Sequence, residues 1–225
     1  MRLSGIVPLP QSVERATAFD AVAGESALRR VVRLALAAVD EPGRVVVAAA
    51  EPLTAEARAE VADLTAAVVS VTGDATDVQC VRAAVDYLDR ERISASHLLL
   101  YDVARPLTPA DVQHRVLTGL RDGAEVVAPA LPVTDSVKTV DDVGSVTATL
   151  DRSTLREGQS PRGFERKRLG ELLTGPGDPF SAAVDAGVPI TLVDGDADAF
   201  LVVLPRDAQY VDALIASRRP DLRGS

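Results

Sequence analysis

The sequence contains no tryptophan, two histidines, one cysteine and only 3% aromatic residues. So few aromatic side chains provide no surface on which nucleobases or sugar rings would stack. The single cysteine, Cys80, excludes an internal disulfide and is typical of a reducing compartment, so we expect a cytoplasmic protein. The histidines, His97 and His114, are far apart in the chain and do not predict a metal site.

Basic residues are also few, and lysine is almost absent. The net charge is −9, and Lys138 and Lys167 are the only lysines. This balance argues against nucleic acid polymers and anionic membranes as partners, whereas a small anionic substrate needs only a few local arginines. No window approaches the roughly eighteen uninterrupted apolar residues of a membrane span, and no apolar leader segment precedes the first strand, so neither a span nor a signal peptide is predicted.

What the sequence does contain is short β-branched runs that alternate with Ala- and Leu-rich helical segments. The chain has 225 residues, 47% of them hydrophobic, which predicts one α/β domain over residues 1–225. Largely apolar strands are predicted at Leu3–Val7, Arg44–Ala50, Ala67–Val71, His97–Asp102 and Ala124–Pro129. Helices are predicted after the caps Ser26, Thr54 and Thr108, and over Asp77–Arg90. The alternation predicts a Rossmann-like, doubly wound and mainly parallel sheet.

The alternation changes after Pro129. Residues 135–152 alternate with period two around Asp141–Gly144, which predicts a β-hairpin. This arm, residues 132–153, either reaches into a second subunit of a homodimer or folds against its own sheet, and the pattern leaves both open. The remaining predictions are a helix over Pro161–Leu173, a loop at Thr174–Pro179, strands at Ile190–Val193 and Phe200–Val203, a last helix from Arg206 and a frayed tail after Arg218.

The first strand runs into an unusual loop, in the stretch GIVPLPQSVERATAF that begins at Gly5. In α/β proteins the loop after the first strand commonly holds phosphate, and glycines there let free backbone N–H groups approach the anion. This loop has two prolines and no glycine between Gly5 and Gly24. It therefore lacks the glycines that a phosphate-binding loop uses to bring backbone N–H groups close to the anion.

Candidate ligand-binding residues follow the strand predicted at His97–Asp102. The segment LLLYDVARP places Asp102 at the strand end and Arg105 three residues later. Ligands of α/β proteins bind at the carboxyl ends of parallel strands, where an aspartate can hold a metal–phosphate and an arginine can bind phosphate with two hydrogen bonds. The alternative is that Asp102 caps the following turn and Arg105 neutralises its charge.

The wider context of these two residues resembles one family. The strings YDVARPLTPADV, PALPVTDSVK, LDRSTLR, QSPRGF and VDGDADAF occur in this order from residue 101 onward. They are similar to the HDAARP, VPV-x-D-T-x-K, D-R-x-x-L, T-P-Q-x-F and VEG-D-x-x-N-x-K motifs of the 2-C-methyl-D-erythritol 4-phosphate cytidylyltransferases. The resemblance implies a Rossmann-like domain with a β-arm that interlocks two subunits. It also implies a site that binds CTP with Mg²⁺, where methylerythritol phosphate attacks the α-phosphorus and pyrophosphate leaves.

The resemblance implies roles for individual residues. Asp102 and Arg105 match the sugar-phosphate site, and Ser160 matches the threonine of the T-P-Q step. Ser136 and Arg152 match arm residues that contact this substrate across the dimer. Arg15 and Asp102 are the candidate catalytic residues, and Asp102 and Asp198 are the candidate Mg²⁺ ligands.

The segments that correspond to the family's CTP-binding residues depart from the family pattern. The family loop P-A-A-G-x-G-x-R appears here as PLPQSVER, which keeps Pro8 and Arg15 but replaces both glycines, by Gln11 and Val13. Glu14 adds a negative charge, and the lysine of the family loop falls near Thr17.

Further departures occur beyond this loop. In the cytosine-side segment G-G-x-x-R-x-x-S-V, Gly73 is kept, but Asp77 replaces the arginine and Cys80 the serine. The lysine after the VEG-D stretch aligns with Leu201. Each lost cation beside the α-phosphate would cost about 3 kcal/mol of transition-state stabilisation.

The motifs of the sugar-phosphate site are thus largely kept, whereas those of the nucleotide site are altered. Three hypotheses follow from this difference. The first is a functioning cytidylyltransferase in which arginines such as Arg15 or Arg162 replace the missing lysines. The second is a non-catalytic dimeric homologue with a binding or regulatory role. The third is a nucleotidyltransferase or sugar-phosphate binder of altered specificity.

Overall fold

The computed structural model describes residues 1–41, 43–73, 75–175 and 177–218. Its strands are β1 (Leu3–Leu9), β2 (Ala21–Val22), β3 (Glu25–Ser26), β4 (Val45–Ala50), β5 (Ala66–Val71), β6 (His97–Leu100), β7 (Val126–Pro132), β8 (Val137–Val140), β9 (Val146–Leu150), β10 (Arg156–Gly158), β11 (Arg162–Glu165) and β12 (Thr191–Asp194). Its α-helices are α1 (Arg15–Phe19), α2 (Ala27–Leu36), α3 (Glu51–Glu60), α4 (Asp77–Arg90), α5 (Ala110–Arg121), α6 (Arg166–Leu172), α7 (Pro179–Asp185) and α8 (Ala208–Arg218).

The central sheet has eight strands and is mainly parallel. Strands β6, β1, β4 and β5 pair side by side in parallel, and β12 pairs in parallel with β7. Strand β11 lies antiparallel between β6 and β7, and β10 continues along the same side of β7. The predicted α/β fold with a mainly parallel sheet is thereby confirmed.

Burial explains why the first strands were predictable. All six residues of β4, VVVAAA, are buried, as expected for a strand covered by helices on both faces. Helix α2 begins where Ser26 accepts a hydrogen bond from the N–H of Arg29 at 3.2 Å. Helix α4 begins with a capping box between Thr76 and Gln79. The predicted cap at Ser26 and the predicted helix Asp77–Arg90 are confirmed.

Two predicted helix caps are wrong. Thr54 lies inside α3, where its hydroxyl donates back to the carbonyl of Ala50 at 3.0 Å instead of capping an N-terminus. Thr108 donates to the carbonyl of Arg105 at 2.9 Å, and α5 begins only at Ala110. In both cases the hydroxyl finds a carbonyl acceptor in the preceding turn.

The helix predicted over Pro161–Leu173 is wrong in its first part. Residues 162–165 form β11, and the helix α6 covers only Arg166–Leu172. The sheet decides this segment, because β11 pairs with β6 on one side and β7 on the other. A Cβ on Gly163 would meet side-chain carbons of Val116 and Leu120 at 2.8 Å, so glycine allows α5 to pack closely on this strand.

The predicted strand Phe200–Val203 is also wrong. These residues have no regular structure, and their apolar character reflects a small second core of Val22, Leu107, Val202, Leu204 and Val211. The predicted strand Ile190–Val193 is confirmed as β12 with a shift of one residue, and the last helix begins at Ala208 instead of Arg206. The tail predicted to fray after Arg218 lies outside the described residues.

The predicted hairpin is confirmed. Strands β8 and β9 pair antiparallel as a separate two-stranded sheet, and Asp141 Oδ1 accepts hydrogen bonds from the N–H groups of Val143 and Ser145 in the turn. Gly144 supplies the positive φ of +84° that this turn needs. The apolar side chains of Val140, Val143 and Val146 are exposed, Val143 to 85%. Among the helices described, none is both long and apolar enough to cross a bilayer.

Candidate functional site

A cavity of about 440 Å³ opens at the carboxyl ends of β1 and β6. This is the edge at which α/β proteins bind ligands. Its walls come from the loop after β1 (Pro8, Pro10, Ser12, Val13), the segment after β6 (Tyr101, Asp102, Val103, Arg105), the β11 region (Gln159, Ser160, Arg162, Phe164), and from Asp77, Asp178, Pro179 and Leu201.

Asp102 and Ser160 lie together in this cavity. The backbone N–H of Asp102 donates to Ser160 Oγ at 2.9 Å, although the two residues are 58 positions apart. Asp102 Oδ1 accepts a hydrogen bond from the N–H of Ala104 at 2.9 Å, and the side chain remains 45% exposed. The carboxylate therefore does cap its own turn, as one interpretation of the sequence expected, while part of its surface still faces solvent.

Arg105 holds three segments of the cavity wall in place. The residue is 6% exposed, and its guanidinium donates to the carbonyls of Ala199 and Gly158 and to Glu157 Oε1 at 3.3 Å. Its Nε lies 3.8 Å from Asp102 Oδ2. These acceptors use most of the donors of the group. Its predicted contact with a substrate stays a prediction.

Arg162 is the second arginine of the cavity. Its Nη1 donates to Asp178 Oδ1 at 3.2 Å, and its guanidinium lies 4.3 Å from the centroid of the Phe180 ring. Asp178 caps α7 by accepting hydrogen bonds from the N–H groups of Phe180 and Ser181. Burial raises the pKa of Asp178, but the hydrogen bond from the Ser181 hydroxyl, the two backbone hydrogen bonds and the charge of Arg162 outweigh it, so the pKa is lowered overall. Burial lowers the pKa of Arg162, against the opposing effect of Asp178 and Asp102.

Carboxylates are the more numerous charges in the cavity. Asp77, Asp102 and Asp178 line it, against the two arginines. Partial burial, followed by the charges of Asp102 and Asp178, raises the pKa of Asp77, and Arg162 opposes this shift. The described lining of the cavity therefore has one more carboxylate than guanidinium group.

The loop after β1 lines the cavity mostly with apolar atoms. Pro8, Pro10, Ser12 and Val13 line it, and the N–H of Val13 donates to the Pro10 carbonyl at 3.1 Å in a tight turn. Gln11 is exposed outside the lining, and its N–H donates to the carbonyl of Ala75 at 3.0 Å. These two N–H groups are thus occupied within the protein instead of being presented to an anion.

Arg15 does not line the cavity. Its side chain is 66% exposed, and its guanidinium pairs with Glu56 at 2.5 Å. The structure therefore does not bring the two candidate catalytic residues, Arg15 and Asp102, together in the cavity. A role for Arg15 in the cavity would require its side chain to move there.

Two further nucleotide-side residues also lie outside the cavity lining. Gly73 is exposed in a turn with a φ of +78°. Cys80 is buried in the core, where burial and then the charge of Asp77 raise the pKa of its thiol to about 11. A thiol of this kind does not present a hydrogen-bonding group to a ligand in the manner of an exposed serine.

The arm residues predicted to contact substrate are exposed. Ser136 and Arg152 lie at the base of the hairpin and do not line the cavity, and Arg152 donates to the carbonyl of Thr134. Their predicted contact across a dimer stays a prediction.

Asp102 lines the cavity and Asp198 does not. The N–H of Asp198 donates to Asp196 Oδ1 at 2.8 Å in the loop after β12. Within the described residues, no three His, Cys, Asp or Glu side chains are grouped to hold a metal ion. The half-exposed carboxylate of Asp102 nevertheless fits Mg²⁺, which is commonly bound by one or two carboxylates together with substrate phosphates.

Gln159 and Asp178 are cavity residues that the sequence did not reveal, and Arg162 was named only as a replacement for a lysine. A signal for Arg162 existed, because it stands at the glutamine of the T-P-Q-x-F motif and adds a charge there. Asp178 could have been recognised as a helix cap from the Asp-Pro pair at residues 178–179.

Comparisons with known proteins agree with this geometry. The profile of the family described as "IspD: 2-C-methyl-D-erythritol 4-phosphate cytidylyltransferase" matches residues 11–217. The 2-C-methyl-D-erythritol 4-phosphate cytidylyltransferase of Saccharopolyspora erythraea is 36% identical over 204 residues, which cover 87% of this chain and 88% of the relative. The bifunctional enzyme IspD/IspF of Paracoccus denitrificans is 38% identical over 201 residues, and the chain spans 50% of its length.

A solved structure gives the same result. The crystal structure of a 4-diphosphocytidyl-2C-methyl-D-erythritol synthase superimposes with a TM-score of 0.79 and 26% sequence identity, covering 95% of this chain and 98% of the other. Sequence and fold thus agree over nearly the whole chain. The chain belongs to the IspD family of 2-C-methyl-D-erythritol 4-phosphate cytidylyltransferases.

Proposed function

We propose that the chain transfers a cytidylyl group from CTP to 2-C-methyl-D-erythritol 4-phosphate and releases pyrophosphate. The observation that supports this most strongly is the convergence of Asp102 and Arg105 from one family motif and Ser160 from another on one cavity at the carboxyl edge of the sheet. The Saccharopolyspora erythraea relative, whose name states this activity, matches 87% of the chain.

The reaction needs little covalent help from the protein. A phosphate oxygen of the sugar phosphate attacks the α-phosphorus of CTP, the bond from that phosphorus to the β-phosphate oxygen breaks, and pyrophosphate leaves with the electron pair. Such transfers are accelerated by positioning and by neutralisation of charge. Mg²⁺ would neutralise part of the triphosphate charge, and Asp102 is the residue that would hold it.

In this reaction the other cavity residues have defined tasks. Ser160 fixes the backbone of Asp102 at the strand end through their 2.9 Å hydrogen bond. Arg105 holds the loop that carries Leu201 against the strand by bonding the carbonyl of Ala199. Pro10, Val13 and Leu201 supply apolar atoms to the wall of the cavity.

We also propose a cytoplasmic homodimer joined through the arm. The hairpin exposes Val140, Val143, Val146 and Leu150, which a monomer would leave in water. Ser136 and Arg152 at the base of the hairpin would then reach the partner's cavity. Sedimentation velocity of the whole chain should give a dimer, and a Val143→Asp/Val146→Asp variant should give a folded monomer. A monomeric wild type at micromolar concentration would exclude this assembly.

A specific observation favours a second candidate, binding without turnover. Arg15 is paired with Glu56, three carboxylates line the cavity, and neither lysine lies in it. This arrangement suits a regulatory or binding homologue that keeps the family's cavity but lacks cations beside the α-phosphate.

One experiment separates the two candidates. The protein is titrated calorimetrically with CTP and Mg²⁺, and pyrophosphate release is measured with methylerythritol phosphate, with the Saccharopolyspora erythraea relative as positive control. Turnover that an Asp102→Asn variant loses supports the enzyme. Binding of methylerythritol phosphate without turnover supports the second candidate, and binding of neither ligand contradicts both.

A further inference from the structure

We propose that Arg162 is the anion-binding residue of the cavity and that its guanidinium binds the phosphate oxygens of the ligand. The identity of that ligand rests on the proposed function. The position of the Arg162 side chain does not depend on the proposed function, because it follows from the contacts between β11 and α7.

The donors of Arg162 are mostly unused. A guanidinium carries five N–H groups, and in the described part of the chain this one makes a single hydrogen bond, from Nη1 to Asp178 at 3.2 Å. Its side chain is 32% exposed and lines the cavity. A charged group with spare donors at a cavity wall can bind a planar pair of phosphate oxygens with two parallel hydrogen bonds.

The position of Arg162 is fixed before any ligand arrives. Its guanidinium lies over the ring of Phe180 at 4.3 Å, within the range of a cation–π contact. Its partner Asp178 is itself held by the N–H groups of Phe180 and Ser181 and by the Ser181 hydroxyl. An arginine held in this way loses little side-chain entropy when it binds an anion.

The other cations of the chain are less suited to this task. Arg105, the only other basic residue in the described cavity lining, is 6% exposed and is bonded to two carbonyls and to Glu157. Arg15 pairs with Glu56 outside the lining. Lys138 donates to Thr149 within the arm, and Lys167 lies 4.0 Å from Glu171 on α6.

The neighbouring carboxylates do not cancel this charge. Asp178 has its charge offset by the donors at the start of α7 as well as by Arg162. Asp77 and Asp102 act on Arg162 through space, without a hydrogen bond to it. An incoming phosphate therefore takes up donors that no carboxylate occupies. A phosphate could come from the triphosphate of a nucleotide or from a sugar phosphate, and the chemistry of recognition is the same.

The test compares the wild-type chain with Arg162→Gln, Arg162→Lys and the control Arg168→Gln. Arg168 is a surface arginine on α6 that pairs with Glu125 and Glu171 and does not line the cavity. Each protein is titrated calorimetrically with pyrophosphate, with CTP and Mg²⁺, with methylerythritol phosphate, and with unphosphorylated methylerythritol and cytidine. Circular dichroism and the melting temperature establish that each variant is folded.

Arg162→Gln should weaken the binding of the phosphate-bearing ligands by about tenfold to a hundredfold, the expected effect of losing charged hydrogen bonds. Arg162→Lys should recover part of this loss, and Arg168→Gln should bind like the wild type. Binding of cytidine and unphosphorylated methylerythritol should not change. A loss confined to CTP identifies the nucleotide phosphates, and one confined to methylerythritol phosphate identifies the sugar phosphate.

The outcomes separate this inference from the proposed function. Pyrophosphate binding that depends on Arg162, without turnover of CTP, leaves the inference standing and contradicts the proposed activity. Turnover with equal phosphate affinities in the wild type and Arg162→Gln overturns the inference and leaves the activity standing. A wild type that binds none of the phosphate species overturns the inference outright.

Discussion

Gln159 and Asp196 exchange two hydrogen bonds across the wall of the cavity. Gln159 Nε2 donates to the Asp196 carbonyl and Gln159 Oε1 accepts from the Asp196 N–H, both at 2.8 Å. Gln159 is 2% exposed, so all four of these polar groups would lose hydration without their partners. This pair joins the end of β10 to the loop after β12, which carries Leu201 into the cavity.

Gly195→Ala should break this pair. A Cβ at residue 195 would lie 2.2 Å from Gln159 Oε1 and 3.1 Å from the backbone of Ala130, so the amide must leave its place. We expect a loss of about 1–3 kcal/mol in the free energy of unfolding, measured by urea titration. The loop that carries Leu201 should also become more sensitive to proteolysis.

Gly170→Ala is the matched control. Gly170 lies in α6 and an added Cβ there meets nothing within 4 Å. Alanine in place of a helical glycine should stabilise the protein by about 0.5–1 kcal/mol. If the two variants changed stability in the same direction, the close contact at Gly195 would not be the cause.

The sequence predicted the parts of the fold whose burial is uniform. Strand β4 reads as six apolar residues because both of its faces are covered, and such a run needs no knowledge of its neighbours. Strand β11 has four residues, and its pairing depends on β6 and β7, which come from distant parts of the chain. The local sequence pattern therefore favoured a helix at residues 162–165. The close packing of α5 on Gly163 is apparent only from the three-dimensional structure.

The residues of the candidate site likewise fall into those that the local sequence predicts and those that depend on contacts with distant residues. Asp102 stands at the end of an apolar strand, a position that marks ligand sites in this class of fold, and motif similarity added Ser160. Asp178 supports Arg162 from 16 residues away, through the N-terminus of a short helix that the local sequence pattern did not predict. Arg15 was expected in the site because it matches a motif, but nothing in the local sequence predicts its ion pair with Glu56, 41 residues away.

Asp178→Ala should destabilise the protein and weaken phosphate binding together. The aspartate caps α7 with two backbone hydrogen bonds and holds Arg162, and loss of such a cap costs about 0.5–2 kcal/mol. Urea unfolding at pH 7 measures the first effect and calorimetry the second. Asp185→Ala, at the other end of the same helix, should be neutral or slightly stabilising because a carboxylate there opposes the helix dipole.

The contribution of Asp178 should also depend on pH. Its pKa is lower in the folded state than in the unfolded chain, so its stabilising effect is complete above the unfolded value of about 4. The effect is lost as the pH falls through the lower, folded value. Wild type and Asp178→Ala should therefore differ most in stability near pH 7 and converge under acidic conditions. A difference that grew on acidification would contradict this assignment.

Cys80 should behave as a protected thiol. It is buried and its pKa is raised to about 11, so the native protein should react very slowly with iodoacetamide at pH 8 and quickly in guanidinium chloride. Because the folded pKa lies above the unfolded one, the associated stability is complete below about pH 8.5 and is lost as the pH rises toward 11. Cys80→Ala should remove this alkaline dependence. Rapid alkylation of the native wild type would show that the thiol is accessible.

Leu201→Lys should raise the rate of pyrophosphate release. Leu201 lines the cavity, is 50% exposed and stands where the family motif has a lysine, so an ammonium group can enter without a large cost in stability. One added positive charge near a reacting phosphate would accelerate transfer by about 100-fold. Steady-state assays with CTP, Mg²⁺ and methylerythritol phosphate measure this change.

Leu201→Gln is the neutral control of similar reach, and it should leave the rate within a few-fold of the wild type. Equal rates for the lysine and glutamine variants would mean that residue 201 lies away from the α-phosphate, and the absence of lysine there would then not limit the reaction.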